Sequence, residues 1–162
     1  MIFQIYHKLP LIYESFKGKL NHLFEKGVLV QIEIFTLCNA ATRYGVDKLN
    51  ILGTFNIITA KQTPITYPSC AIAIRLRFEK NEEGSKAMKI NFVGTDGKPV
   101  LPTHDEAFIV RVLPGESTSN VSLVVLIPQM KLKNFGDYSI DLMIDGRPIG
   151  STSFYVRKLS QE

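Results

Sequence analysis

Ten consecutive residues, 70–79, alternate without a break between apolar side chains and small or charged ones. Cys70, Ile72, Ile74, Leu76 and Phe78 fall on one side, and Ala71, Ala73, Arg75, Arg77 and Glu79 on the other. A helix advances about 100° per residue and would scatter these side chains around its axis, whereas a strand sends successive ones to opposite faces. The segment reads as a strand with one buried face and one wet face, as in an antiparallel sheet covered on one side.

The same period returns at 86–93, where Met88, Ile90 and Phe92 alternate with Lys89 and Asn91. It returns again at 138–144, where Tyr138, Ile140, Leu142 and Ile144 alternate with Ser139 and Asp141. Residues 30–38, 49–59, 107–113, 121–127 and 149–157 are rich in β-branched and aromatic side chains, which brings the expectation to about eight strands. Asp96-Gly97 and Asp145-Gly146 are turn pairs that accept positive φ. Glu83-Gly84, Pro114-Gly115 and Lys133-Asn134-Phe135-Gly136 mark further reversals.

No helical-period segment interrupts this series, which points to a sandwich or barrel. Gly136-Asp137-Tyr138, then Asp145-Gly146 and Phe154-Tyr155-Val156, is similar to the closing hairpin of immunoglobulin-like domains. Tyr138 stands where a tyrosine corner would tie the strand to an upstream loop. The expected fold is an all-β, immunoglobulin-like antiparallel β-sandwich over residues 30–162, without the Trp and Cys pair of antibody domains.

Residues 1–29 differ. Phe16, Leu20, Leu23 and Phe24 form one face of a short amphipathic helix that contains Gly18 and ends at Gly27. The segment reads as an N-terminal extension, helical or disordered, that covers the apolar run 121–127, pairs with a partner, or is not native.

At 162 residues the chain suits one domain with a real core. The net charge of +4 is partly local, because residues 1–29 hold four of the 19 basic and two of the 15 acidic residues. The remainder carries +2 with no dense Lys/Arg cluster, so no nucleic-acid track is expected. No apolar run approaches the roughly 20 residues of a membrane helix. Lys8, Pro10, Glu14 and Lys17 break up any secretory signal, so a cytoplasmic address is expected. In that compartment Cys38 and Cys70 are expected to be buried, reduced thiols.

Candidate chemistry is sparse. His104, beside Asp105 and Glu106, has neither a nucleophile elbow nor a second ligand cluster to complete a site. Thr103-His104-Asp105-Glu106 reads as a polar loop. Asp96, Asp105, Asp137 and Asp145 fall in expected loops but lack calcium-loop spacing. Arg75 and Arg77, with Lys86 or Lys89 on a neighbouring strand, are the one candidate anion patch. No catalytic residues, metal site or cofactor are expected. The ligand-binding candidates are Arg75, Arg77 and His104.

Five stretches carry a resemblance. They are Phe35-Thr36-Leu37-Cys38-Asn39-Ala40-Ala41 with Lys48-Leu49-Asn50-Ile51-Leu52-Gly53-Thr54-Phe55-Asn56, then Arg75-Leu76-Arg77-Phe78 with Glu82-Glu83-Gly84, then Asp96-Gly97-Lys98. From about residue 31 onward the chain resembles a widespread bacterial family of small β-sandwich proteins of unknown function. The family's pattern has Asp after the Leu-Cys pair, where this chain has Asn39. It has His after the Glu-x-Gly turn, where this chain has Ser85. The resemblance implies the fold and no activity. Within it, Gly53 is expected to permit a bulge or a close backbone approach, with Leu49, Ile51, Phe55 and Ile57 in the core. Val28, Leu29 and Val30 are residues whose codons can initiate translation in bacteria, and a native start near residues 28–30 is expected.

Two functional expectations follow. The first is a non-enzymatic interaction or accessory module that meets a protein partner or a second copy through an edge strand or sheet face. Val124 and Leu126 motivate it, because they make both faces of their strand apolar. The alternative is a small-ligand or carbohydrate-binding sandwich that uses loop ends or the Arg75/Arg77 face.

Overall fold

A computed structural model describes residues 30–45 and 47–159; the expected helix at 16–24 and the expected start at 28–30 lie outside them, except for Val30. Eleven strands form among the described residues: β1 (Gln31–Tyr44), β2 (Lys48–Thr54), β3 (Ile57–Ala60), β4 (Ile65–Tyr67), β5 (Cys70–Glu79), β6 (Gly84–Val93), β7 (His104–Val110), β8 (Thr118–Ile127), β9 (Met130–Leu132), β10 (Gly136–Ile144) and β11 (Arg147–Lys158). A front sheet runs β2-β1-β5-β8, a back sheet β3-β11-β10-β6-β7, and β4 pairs with β9 in a small third sheet.

The all-β sandwich is as expected, with more strands. The 49–59 run divides into β2 and β3, and the short pair β4–β9 lacks the length for a periodic signal. One pairing departs from the antiparallel rule, since β3 runs parallel to β11. A 3₁₀ turn at Lys80–Glu82 carries the chain from β5 in the front sheet to β6 in the back sheet.

The main core lies between the two sheets. Ile72, Ile74, Leu76 and Phe78 of β5 face Met88 and Ile90 of β6, Ile140 and Leu142 of β10, and Phe154 and Val156 of β11, all buried. These are the apolar phases of the alternating segments, so period two correctly identified the inward side chains. Gly150 lets the sheets approach, since a Cβ there would meet Ile32 Cδ1 at 2.3 Å. The tyrosine corner forms as expected: Tyr138 Oη donates to the Asn134 carbonyl at 2.7 Å, and its ring stacks on Phe154 with centroids 5.1 Å apart.

Asp145 (φ 50°) and Gly146 (φ 75°) both take left-handed conformations in the β10–β11 turn, the geometry for which Asp-Gly is suited. Ile57 corrects the expected core. It is 55% exposed while Ile58 is buried, because β3 starts a new phase after the break at residues 55–56.

Candidate functional site

The outer face of the front sheet departs most from simple alternation, and it holds Arg75 and Arg77. In β1 the register against β5 shifts between Ile32 and Ile34, leaving Glu33 as the extra residue of a bulge. Its carboxylate lies between the two arginines: Oε2 is 2.7 Å from Arg75 Nε, and Oε1 is 3.4 Å from Arg77 Nε. Arg77 also donates through Nη2 to Gln31 Oε1. The structure therefore brings Arg75 and Arg77 together as expected, with an acid bridging them. Lys86 and Lys89 correct the expected patch. They lie on β6 of the other sheet, paired with Asp145 at 3.2 Å and Asp105 at 3.5 Å. The neighbours of β5 are β1 and β8.

At its other end the same face is dry. Ala71 and Ala73, expected on the wet side of β5, are fully buried in a second cluster with Cys38 and Ala41, flanked by Ile34, Leu49, Ile51 and Val124. The cover comes from the β1–β2 hairpin. Through Cys38, β1 runs alongside β5 from Arg77 towards Ala71. Continued straight, the hairpin tip would lie roughly 20 Å beyond Ala71. Instead the Asp47 carbonyl accepts hydrogen bonds from the Arg75 guanidinium and from Ser122 Oγ, the latter at 2.8 Å. Arg75 and Ser122 are directly opposed on β5 and β8, so the hairpin has doubled back over the sheet.

The reversal occurs at Asn39 and Gly53. Gly53 has φ 61°, and a Cβ on it would meet the Asn39 amide nitrogen at 2.5 Å. Tyr67 Oη donates to Asn39 Oδ1 at 3.4 Å. Of the two readings of Gly53, the close approach is present and the bulge is not, since Cys38 opposite Thr54 and Ala40 opposite Leu52 keep one register. The glycine turns a whole hairpin. Asn39, where the family pattern has Asp, serves that turn, while Ser85 lies on β6 opposite Ile109.

The cysteines sit on opposite faces of the front sheet, Cys70 in the main core and Cys38 beneath the hairpin. Both are free, buried thiols. Burial pushes Cys70 up to about 11, with the nearby Cys38 adding to the effect. Burial also raises Cys38, opposed by a backbone hydrogen bond from Ala73. Thiols so raised are poor nucleophiles near neutral pH.

His104, Asp105 and Glu106 were expected in a loop but begin β7, an edge strand of the back sheet. His104 Nε2 lies 3.3 Å from Glu106 Oε2, and Asp105 faces the other way towards Lys89. Alternation thus separates Asp105 from its neighbours. Asp137, also expected in a loop, lies in β10 and pairs with Arg157 at 2.7 Å. Among the described residues no three His, Cys, Asp or Glu side chains gather into a possible metal site. No helix of the described residues is long and apolar enough to cross a membrane.

Sequence reasoning missed Glu33 and Asp47. Glu33 alternates with Ile32 and Ile34, so its outward direction was legible, but the bulge aiming it at two arginines was not. Asp47 contributes mainly through its carbonyl, which carries no sequence signal.

The edge strands differ in how they are protected. β2 includes Lys48, β7 includes Asp105 and Glu106, and β3 has four residues. β8 spans ten residues, Thr-Ser-Asn-Val-Ser-Leu-Val-Val-Leu-Ile, with no charge and no proline. Among the described residues it pairs only with β5. Val124, expected to be open to a partner, is partly covered by the hairpin, whereas Leu126 is 71% exposed.

No curated protein matches the chain in sequence. Several solved structures are distantly similar. The alkylpurine DNA glycosylase AlkC of Pseudomonas fluorescens, bound to DNA containing an abasic site analog, is 14% identical with TM-score 0.39, over 91% of this chain and 36% of that one. A β-glucosidase from Listeria innocua in complex with isofagomine is 6% identical with TM-score 0.45, over 80% of this chain and 16% of that one. An immunoglobulin-like protein from Pseudomonas aeruginosa is 16% identical with TM-score 0.31, over 79% of this chain and 96% of that one. The chain thus spans about a third of the glycosylase and about a sixth of the glucosidase. A family of unknown function, DUF6941, matches residues 33–157, nearly the whole sandwich, and the chain belongs to that family.

Proposed function

We propose that this domain is a non-enzymatic interaction module that joins another protein chain by strand addition at β8. The observation that carries the reading is the contrast among edges: among the described edge strands, only β8 is long, uncharged and free of proline. A free edge offers a row of backbone N–H and C=O groups, and sheet proteins usually blunt such edges with charge, proline or shortness. An undefended ten-residue edge beside an exposed Leu126 suits an extended partner strand. A second copy of the chain satisfies the same chemistry, since two uncharged β8 strands pair antiparallel without like-charge repulsion.

The ligand-binding alternative draws less support. Glu33 bridges both guanidinium groups, and Asp47 lies 3.8 Å from Arg75, so the face is nearly neutral. The same neutrality argues against a nucleic-acid surface, and a cytoplasmic address fits the reduced thiols. His104, the remaining candidate, is engaged with Glu106.

The test is sedimentation of the full chain across a concentration series, with a photo-crosslinking residue at position 126 and a control at Lys158. The reading expects a dimer that is lost in Leu126→Lys with the melting temperature kept, or one defined crosslinked protein from position 126 alone. A monomer at every concentration with identical crosslinking from both positions would overturn it.

A further inference from the structure

We propose that the β1–β2 hairpin is a hinged flap that opens as a unit, while the sandwich stays folded, and uncovers an apolar floor on the front sheet. This inference stands apart from the reading of β8 as an interaction edge. Three independent features carry it.

The first is a hinge. Both strands of the hairpin change direction at one level, Asn39 in β1 and Gly53 in β2, and Gly53 alone supplies the left-handed backbone. Beyond this level the hairpin keeps its own ladder, with Ala40, Ala41, Thr42, Arg43 and Tyr44 paired to residues of β2. It can therefore swing without losing those backbone hydrogen bonds.

The second is a latch. The tip is held through Asp47, whose carbonyl oxygen accepts from Arg75 and Ser122 and whose carboxylate lies 3.8 Å from Arg75 Nη2. Ser122 is the one buried polar side chain among the described residues, at 1% exposure. A buried hydroxyl needs a partner, and here the partner is the hairpin tip. Arg75 is in turn oriented by Glu33. The latch is polar and peripheral, whereas the rest of the fold is closed by large apolar side chains.

The third is the floor. Ala71, Ala73 and Cys38 are small, so the hairpin descends onto them with Leu49, Ile51 and Ala41. Small side chains bury little area, and regions with few apolar contacts open before the global fold does. Opening would expose Ile34, Cys38, Ala71, Ala73 and Val124 together, on the same face as the exposed Leu126. A closed flap hides this apolar face, and an open one exposes it to solvent.

The two cysteines report on the flap and on the core separately. In single-thiol variants, Cys70→Ala leaves Cys38 beneath the flap, and Cys38→Ala leaves Cys70 in the main core. Labelling with an aromatic disulfide reagent under native conditions should modify Cys38 at least tenfold faster than Cys70. Ser122→Ala and Arg75→Ala should each raise the Cys38 rate roughly tenfold, about the effect of one lost hydrogen bond, and leave the Cys70 rate unchanged. Hydrogen exchange on the chain with both thiols intact provides a second readout. Amides of residues 40–52 should lose protection in Ser122→Ala, while those of β10 and β11 keep theirs. Equal labelling of both thiols, or latch variants that accelerate both alike, would show that the hairpin opens only with global unfolding and would overturn the proposal. Unchanged protection of residues 40–52 in Ser122→Ala would overturn it as well.

Discussion

The two faces of β5 support two unlike regions. Its inward side chains, Ile72, Ile74, Leu76 and Phe78, enter a core shared by both sheets and completed by Phe154, Ile140 and Leu142. Its outward Ala71 and Ala73 enter a thin cluster closed by one hairpin and one polar latch. Burial is equally complete in both, yet the side chains buried in the main core are larger and more numerous. Exposure alone therefore does not reveal which region holds the fold together. The size of the buried groups does, because stabilisation scales with the area removed from water.

The largest expected effect tests the main core. Phe154→Ala should cost about 3–5 kcal/mol in urea unfolding, the range for a large aromatic side chain deleted from a packed interior. If Ile51→Ala on the flap costs as much, the two regions are equivalent and the contrast fails.

Alkaline pH sharpens the same contrast. The Cys70 thiol is held up to about 11 in the folded protein, against 9.0 ordinarily. Above pH 9 the unfolded chain releases a proton that the folded chain retains. Stability should therefore fall as pH rises from 9 through 11, by up to roughly 2–3 kcal/mol. Chemical denaturation at intervals over that window should show the slope, and Cys70→Ala should remove most of it.

A smaller effect separates flap from core directly. Ile51→Ala should cost roughly 1–2 kcal/mol, since Ile51 is only partly buried. It should also leave the near-ultraviolet signal of the stacked Tyr138–Phe154 pair unchanged. Smallest is Tyr138→Phe, which removes the bond to the Asn134 carbonyl and should cost about 1 kcal/mol. Thermal melting with the Cys38 labelling rate should show a lower midpoint and an unaltered flap.

What the chain determined by itself is what depends on neighbours in sequence. Period two placed the inward residues of β5, β6 and β10. Asp145-Gly146 announced its turn because few residues accept positive φ, and Tyr138 announced its corner because its carbonyl partner lies four residues upstream. The alternation at Ala71 and Ala73 was read correctly as a face and wrongly as a wet one. Only the tertiary structure decided that, since their cover arrives from hairpin residues 20 or more positions earlier in the chain. Glu33 reaches Arg75 across 42 positions, and Ser122 reaches the Asp47 carbonyl across 75. Contacts of that separation depend on a bulge, a glycine and the order of strands. None of these leaves a periodic trace, because periodicity records which face a residue takes and not what comes to lie against it.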